Sequence, residues 1–201
     1  MMEWTAFEDQ ARAEGYTCIC GIDEAGRGPL AGPVYAAAVV LRPGQVIAGV
    51  NDSKKLSEKK REALFDTICS QCAAYGIGSA TEKEIDETNI LNATYLAMQR
   101  AVAALPVQPD CALVDGNRAP DLPLEVRTII KGDAQSASIA AASILAKVSR
   151  DRYMLQMAEK YPQYTFEKHK GYGTKLHYER LEQYGISPIH RLSFLKKWMN
   201  R

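Results

Sequence analysis

Four acidic residues lie where apolar segments of this chain end, and together their side chains could hold a divalent metal ion. Asp23 and Glu24 close the apolar run CGI, Asp115 follows CALV, and Asp133 follows TIIKG. Crowded carboxylates raise one another's pKa, because each disfavours the ionised form of its neighbour. A divalent cation removes that cost, and oxygen ligands alone favour Mg²⁺ or Mn²⁺ over Zn²⁺. The pattern therefore predicts a metal site at the ends of several strands.

The chemistry that such a site performs is phosphodiester cleavage. Two ions, roughly 3.5 to 4 Å apart, activate a water molecule and stabilise the leaving oxygen, so no histidine or serine nucleophile is needed. Asp23 and Asp115 have a simpler explanation as turn or cap residues, because aspartate before glycine is a common turn signal. The metal interpretation depends on all four acids ending elements of the same sheet.

The glycine-rich segment Gly26-Arg27-Gly28 follows the acidic pair after a single alanine. Glycines leave the main-chain N–H and C=O groups open to the close approach of a nucleic-acid backbone. A ribose 2′-hydroxyl, which distinguishes RNA from DNA, is one group that could be contacted there. Taken alone the GRG pattern is weak, since it matches neither the dinucleotide-binding nor the P-loop motif.

The elements that must position these residues are predicted from the apolar periodicity. Together they predict an α/β fold with a mixed sheet flanked by helices. If the first, fourth and fifth strands are neighbours, the four carboxylates meet at one edge of that sheet. The strands are predicted over residues 16–22, 34–41, 73–80, 111–114 and 126–130, and the helices over 56–69, 84–105, 133–148, 151–161 and 174–184, with a basic loop at 166–174.

Length and charge bear on the domain organisation. The 201 residues suit a single catalytic domain over 1–201, with a basic helical C-terminal region from about residue 150 to 201. Residues 147–201 carry 12 Lys and Arg against 5 Asp and Glu, whereas residues 1–146 carry 13 against 19. This asymmetry is typical of a surface that binds a polyanion, although an ordinary solvated helical face explains it equally well.

Other sequence features argue for a protein of the cytoplasm. No apolar run approaches the roughly 20 residues that span a bilayer, and the N-terminus lacks a basic and apolar export signal. Five cysteines are too few and too scattered for a disulfide scaffold, and the pair Cys69 and Cys72 lacks the further ligands of a zinc site. We expect a soluble, cytoplasmic monomer that acts on nucleic acid and not on membranes.

Seven blocks of the chain together resemble a known family. These blocks are GIDEAGRGPLAGPV, NDSKKLS, EIDETNIL, LVDGN, IIKGDAQSASIAAASILAKVSRDR, HKGYGT and SPIHRLSF. In sequence and spacing, from about Cys20 to Phe194, they closely resemble bacterial ribonuclease HII, the type 2 ribonuclease H family. The resemblance implies a ribonuclease H-like fold and cleavage of the RNA strand of RNA–DNA hybrids, including cleavage 5′ of single ribonucleotides in duplex DNA. The expected products carry 3′-hydroxyl and 5′-phosphate ends.

The resemblance also implies roles for individual residues. The carboxylates in GIDEAG, LVDGN and KGDAQS match the catalytic, metal-binding acids of the family, with Mg²⁺ or Mn²⁺ as the cofactor. The GRG segment matches the backbone that reads the 2′-hydroxyl, and Tyr172 matches a tyrosine that stacks near the junction sugar. Without the family, Tyr172 is equally well explained as a loop residue that packs on the fold. Phosphate contacts or plain solvated or capping roles are open for Lys54, Lys55, Asn89, Lys147, Ser149 and Lys170.

Two other functions remain compatible with the residues. A metal-dependent DNA nuclease or resolvase would use the same carboxylates but ignore the 2′-hydroxyl. A hybrid-binding module would use the basic C-terminal surface, with salt-sensitive binding and no cleavage.

Overall fold

A mixed sheet of five strands forms the centre of the computed structural model, which describes residues 4–51 and 53–200. The strands are β1 (Ile19–Ala25), β2 (Val34–Val40), β3 (Ala74–Ala80), β4 (Cys111–Asp115) and β5 (Glu125–Ile129). Their order in the sheet is β3-β2-β1-β4-β5; β1 is antiparallel to β2 and parallel to β4, and β4 is parallel to β5. The predicted neighbourhood of the first, fourth and fifth strands is therefore confirmed.

Eight α-helices accompany the sheet in the described part of the chain. They are α1 (Ala6–Ala13), α2 (Glu58–Gln71), α3 (Glu82–Thr88), α4 (Ile90–Ala103), α5 (Ala137–Lys160), α6 (Phe166–His169), α7 (Lys175–Tyr184) and α8 (Leu192–Met199). Helix α5 packs on one face of the sheet and α4 on the other. None of the described helices is long and apolar enough to cross a membrane.

The alanine- and serine-rich α5 lies unusually close to the sheet, as its composition predicts. A Cβ atom placed on Gly21 of β1 would come within 2.3 Å of the main chain at Ser138 and Ile139. Only glycine permits this approach. The contact fixes the N-terminal half of α5 against the strand that carries the acidic pair. The two helices predicted over 133–148 and 151–161 are a single helix, and it begins at Ala137 rather than at residue 133.

The single helix predicted over 84–105 is wrong, because the chain breaks at Asn89. This residue has φ 142° and ψ 169°, a conformation that ends α3. Its side-chain oxygen then accepts a hydrogen bond from the N–H of Asn92 at 3.0 Å and so caps α4. The apolar spacing continues across the break, so periodicity alone could not reveal it. The predicted 166–174 loop likewise begins with the short α6.

The acidic pair lies inside β1 and not after it. Strand β1 starts three residues later than predicted and extends through Ala25. Successive strand residues face opposite sides of a sheet, so Asp23 and Glu24 diverge. Because β1 extends through both acidic residues, its alternation determines the geometry of the candidate site.

Candidate active site

Three of the predicted acids meet at the ends of β1 and β4. The parallel register pairs Ile22 with Val114, and the next residues along the two strands are Asp23 and Asp115. Asp23 faces α5, where it hydrogen-bonds with Ser143, whereas Glu24 lies with α4 residues on the opposite face. The convergence of all four carboxylates at one edge of the sheet stays a prediction.

Burial dominates the electrostatics of Asp23, whose side chain is only 6% exposed. Burial raises the pKa of this carboxyl well above its usual range, and the charges of Glu24 and Asp115 raise it further. Hydrogen bonds from the Glu24 N–H, at 2.7 Å, and with Ser143 oppose the rise. An ionised Asp23 is therefore costly unless a positive charge is close.

Asp115 has a second structural role at the start of the turn that leads to α5. Its Oδ1 accepts hydrogen bonds from the N–H groups of Gly132, at 2.6 Å, and of Asp133, at 3.4 Å. Asp133 is buried in this 3₁₀ turn and lines neither of the two cavities at the strand ends. The simpler explanation of an aspartate as a turn acceptor thus applies to Asp115 in addition to any metal role.

The donor set fits a hard divalent cation, although the side chains are not arranged around one. Among the residues that the structure describes, no group of three or more carboxylate, histidine or thiol side chains is placed so that it could hold a metal ion. The alternation along β1 explains this, because it directs Asp23 and Glu24 to different faces. Carboxylate oxygens nevertheless suit Mg²⁺ or Mn²⁺, and a cation would relieve the raised pKa of Asp23.

Two cavities adjoin the acids and share Glu24 and Arg27 as a common wall. The first, about 260 Å³, is lined by Asp23, Glu24, the GRG segment, Ser53, Arg61, Ser143, Lys147 and Tyr172. The second, about 310 Å³, lies on the α4 side and is lined by Tyr95, Met98, Asp115, Asn117 and Arg118 among others. Arg27 Nη1 is 3.4 Å from Glu24 Oε1, so a cation and an anion stand at the shared wall. Asp23, Glu24, the GRG segment and Tyr172 therefore line the first cavity, and Asp115 lines the second; we call the two adjoining cavities the groove.

The loop over residues 26–33 is held by Arg191, a fully buried side chain that the sequence analysis did not single out. Its guanidinium donates to the carbonyls of Gly26 at 2.7 Å, Arg27 at 3.0 Å and Gly32 at 2.8 Å. Burial, and then the charge of Arg150, lower the pKa of Arg191 to about 9. Carbonyl oxygens thus replace water around a buried cation, and in return they fix the shape of the loop.

Arg150 of α5 joins this loop to the segment that carries Tyr172. It is also fully buried, and it donates to the carbonyls of Ala31 at 3.1 Å, Pro33 at 3.2 Å and Lys170 at 3.0 Å. Its guanidinium carbon lies 5.7 Å from the centre of the Tyr172 ring. One side chain therefore relates the two parts of the site that the family resemblance assigns to ribonucleotide selection.

Tyr172 lies at the mouth of the first cavity with 43% of its surface exposed. A Cβ atom on Gly28 would be 3.8 Å from the Tyr172 ring, so the ring and the GRG segment are neighbours. An exposed ring next to open main chain is what stacking on a nucleotide requires. The ring also packs on the fold through its neighbours Gly28 and Arg150.

The predicted phosphate contacts are scattered. Lys147 lines the first cavity, with its Nζ 2.7 Å from Asp151 Oδ1. Lys170 donates to the Glu167 carbonyl. Lys55, Asn89 and Ser149 line neither cavity; Lys55 and Asn89 are exposed and Ser149 is half-buried. The Lys54 side chain lies outside the described part of the chain.

Sequence reasoning missed several residues of the site because each resembles a commoner feature. Arg61 supports the turn at Ser53 by donating to its carbonyl, yet it is one of many basic residues in α2. Arg150 had a usable signal: with Ile139, Ser143 and Ala146 it occupies the buried face of α5 at helical spacing. A charged residue on such a face indicates a specific partner.

The sequence of this chain is similar to those of known proteins. The family model described as ribonuclease HII matches residues 20–197. The chain is 59% identical over 189 residues to ribonuclease HII of Caldicellulosiruptor bescii, covering 94% of this chain and 92% of that protein. It is 62% identical over 177 residues to ribonuclease HII of a Marinomonas species, covering 88% and 89%.

A solved structure agrees in fold as well. The crystal structure of the ribonuclease H2 from Pyrococcus horikoshii OT3 superposes with a TM-score of 0.74 at 30% identity, over 88% of this chain and 93% of that one. The mixed five-stranded sheet is thus a ribonuclease H-like fold. With the family model matching 178 positions from residue 20 to 197, the chain belongs to the ribonuclease HII family.

Proposed function

We propose that this protein cuts on the 5′ side of single ribonucleotides embedded in duplex DNA, in addition to cleaving RNA strands in RNA–DNA hybrids, and leaves 3′-hydroxyl and 5′-phosphate ends. Family membership makes the chain a divalent-metal-dependent ribonuclease that cleaves the RNA strand of RNA–DNA hybrids. The observation that supports the finer activity is the single cavity shared by Asp23, Glu24, the GRG segment and Tyr172.

We assign Asp23, Glu24, Asp115 and Asp133 as the residues that hold the catalytic metal. When bound, Mg²⁺ or Mn²⁺ would neutralise the carboxylates and supply Lewis-acid stabilisation of the phosphate oxygens. The raised pKa of Asp23 supports this assignment, because it marks a site that lacks positive charge. Asp115 would hold its orientation through the hydrogen bond from the Gly132 N–H.

The 26–33 loop and Tyr172 would select the ribonucleotide. Because Arg191 occupies the carbonyls of Gly26 and Arg27, we assign the N–H groups of this loop to the substrate, with the 2′-oxygen as acceptor. Tyr172 would stack on the adjoining sugar. A deoxyribonucleotide has no 2′-oxygen, so it would not accept a hydrogen bond from the loop N–H groups. Arg27, half exposed beside Glu24, would meet a phosphate at the edge of the groove.

A gel assay of defined substrates tests the proposal. A duplex with one ribonucleotide, its all-DNA twin and a uniform RNA–DNA hybrid are incubated with Mg²⁺ or Mn²⁺, and the cut position is mapped at nucleotide resolution. We expect cleavage 5′ of the single ribonucleotide and of hybrid RNA, none of the DNA twin, and 3′ ends that a polymerase extends. The Asp23→Asn protein, purified identically, controls for contaminating host nuclease.

The same assay separates the alternatives. Equal cutting of the all-DNA twin would favour a general DNA nuclease. Salt-sensitive binding without cleavage in either metal would favour a hybrid-binding module. The monomeric state, the cytoplasmic location and the single domain over residues 1–201 stay predictions.

A further inference from the structure

The chain has three histidines, and the fold collects all of them in one buried cluster behind Tyr172. The rings of His169 and His177 stack with centroids 4.3 Å apart, and those of His177 and His190 lie 5.1 Å apart. None of the three lines either cavity at the acids, so none has a part in the site described above. Their arrangement calls for another explanation.

A series of hydrogen bonds runs through two of these rings, and the donor and the acceptor of each bond can be assigned. The N–H of Ser187 donates to His190 Nδ1 at 2.9 Å, so that nitrogen is unprotonated and the neutral ring carries its hydrogen on Nε2. His190 Nε2 lies 2.9 Å from His177 Nε2, which must then accept. His177 consequently carries its hydrogen on Nδ1 and donates it to the carbonyl of Tyr172, also at 2.9 Å. Each ring fixes the tautomer of the next.

Both rings are neutral in the folded protein. Burial lowers the pKa of His177 to about 4 and that of His190 to about 3, and the charge of either ring would lower the pKa of the other. An additional proton on either ring would place two N–H groups, or an N–H group and a main-chain donor, against each other. The two neutral rings therefore form a hydrogen-bond relay that ends on the Tyr172 carbonyl, and His177 also interacts with the main chain of Gly171.

That oxygen belongs to Tyr172, whose ring is 43% exposed and has Gly28 and the Arg150 guanidinium as neighbours. The main chain also contributes to the position of the ring. Lys170 and Gly171 have φ values of 49° and 85°, and the Tyr172 N–H donates to the His169 carbonyl at 2.9 Å. The Tyr172 carbonyl accepts from both Thr174 N–H, at 2.8 Å, and His177 Nδ1. The His177 contact is the one that ties this turn to α7.

We propose that His177 is a positioning residue for Tyr172, with His190 setting its tautomer, and that this relay determines how strongly the enzyme prefers a single ribonucleotide at a DNA junction. The inference rests on the proposed function, since it gives Tyr172 the selecting role. His177 touches neither the carboxylates nor the groove. Its effect would therefore appear in substrate preference and not in the chemical step common to all substrates.

Two substitutions of His177 distinguish its hydrogen bond to Tyr172 from its hydrogen bond with His190. An asparagine amide nitrogen can take a position near histidine Nδ1 and donate, whereas a glutamine amide oxygen can take a position near Nε2 and accept. His177→Asn therefore keeps a donor for Tyr172 and loses the bond with His190, and His177→Gln does the reverse. Both remove the same ring from the stack, so the two variants are matched in the packing that they lose.

The measurement is the ratio of kcat/KM for a duplex with one ribonucleotide to kcat/KM for a uniform hybrid. We expect His177→Gln to lower this ratio by about 10- to 100-fold, as sub-ångström to ångström misplacement of a positioning group does, and His177→Asn by less than about 3-fold. A merely structural role would lower both rates together and leave the ratio unchanged. Equal shifts of the ratio in the two variants would overturn the proposal.

A double-mutant cycle with Tyr172→Ala tests whether His177 acts through Tyr172. We expect Tyr172→Ala to lower the ratio and His177→Gln to lower it no further in that background. If Tyr172→Ala changes the ratio while His177→Gln alone does not, the relay is refuted and the selecting role of Tyr172 stands. If Tyr172→Ala leaves the ratio unchanged, the proposed role of Tyr172 fails and the relay proposal fails with it.

A measurement on the unmodified protein covers the case in which a variant does not fold. Ring ¹⁵N NMR distinguishes protonated from unprotonated nitrogens, and with only three histidines the assignment is tractable. We expect a protonated Nδ1 on His177 and a protonated Nε2 on His190 at neutral pH. The opposite tautomer on His177 would leave Tyr172 without its donor and would overturn the proposal.

Discussion

At the scale of single residues, Asp23 combines near-complete burial with two acidic neighbours. We expect Asp23→Asn to lower kcat roughly 10²- to 10³-fold, the usual loss when one electrostatic partner of a transition state is removed. The amide keeps the Oδ1 that accepts from the Glu24 N–H while removing a costly buried charge. The melting temperature of the Asp23→Asn protein, measured without divalent ions, should therefore equal or exceed that of the unmodified protein.

Asp121→Asn is the matched control for this prediction, because Asp121 is an exposed aspartate outside both cavities. It should leave both the rate and the melting temperature unchanged. If Asp23→Asn melted well below the unmodified protein, the loss of rate would reflect unfolding, and the account of Asp23 as an electrostatically strained ligand would be wrong.

Gly26 is the second residue whose environment predicts a large effect. It has φ +98°, and a Cβ atom there would lie 2.1 Å from Arg150 Nε. We expect Gly26→Ala to cost about 3 kcal/mol or more, since strain and the displacement of a buried, fully bonded guanidinium combine. Urea denaturation measures this loss, and the ribonucleotide-containing duplex should be cut more slowly as well.

Gly15 provides the control, because its φ is +104° and nothing lies within 4 Å of the position of a Cβ atom. Gly15→Ala should cost only about 1 kcal/mol, the backbone part of the effect. Equal losses at the two glycines would show that the contact with Arg150 has no energetic consequence.

The residues of the site were predictable to the extent that their chemistry appears in the local sequence. Adjacent carboxylates at the end of an apolar run indicate metal ligands even when the arrangement of the strands is unknown. Arg191 has no such local sign, since its three acceptors come from residues 26, 27 and 32. Contacts over that sequence separation depend on the tertiary fold, and composition does not encode them.

At the scale of elements, Asn89 separates α3 from α4 in a conformation that is close to glycine-only. We expect Asn89→Gly to be more stable than Asn89→Ala by about 1–3 kcal/mol, because alanine keeps the strain and loses the cap. Urea denaturation of the two variants compares them directly. Equal free energies of unfolding for Asn89→Ala and Asn89→Gly would show that the main chain at residue 89 is not strained.

The prediction of elements failed where two signals of similar strength compete. The five strands were located to within three residues at most ends, because β-branched and apolar runs bounded by turns are distinctive. Residues 84–105 read as one helix since the apolar period persists through the break. The conformation at Asn89 follows from the packing of α3 and α4 in the fold, which the linear pattern does not contain.

At the scale of the whole molecule, the histidine cluster makes stability depend on pH. His177 and His190 have lowered pKa values, about 4 and about 3, against an unfolded value near 6.5. The unfolded chain therefore binds protons first on acidification. The stability that these rings contribute is fully present above pH 6.5 and is lost progressively as the pH falls from 6.5 to the folded pKa values.

Ring NMR and urea denaturation check this expectation together. Between about pH 8 and about pH 5 the free energy of unfolding should fall, while the folded His177 and His190 rings should show no titration near 6.5. The same rings in concentrated urea provide the control and should titrate near that value. A folded ring that titrates near 6.5 would contradict the lowered pKa values.

The position of Arg191 in the sequence determines when its contacts can form during synthesis. It binds carbonyls as far as 165 residues earlier in the chain. During synthesis the ribosome therefore releases the acidic pair long before the side chain that shapes the loop beside it. A nascent chain, or one that terminates before residue 191, would display the carboxylates without a formed selection surface, so competence to discriminate ribonucleotides should arise only after Arg191 has been synthesised.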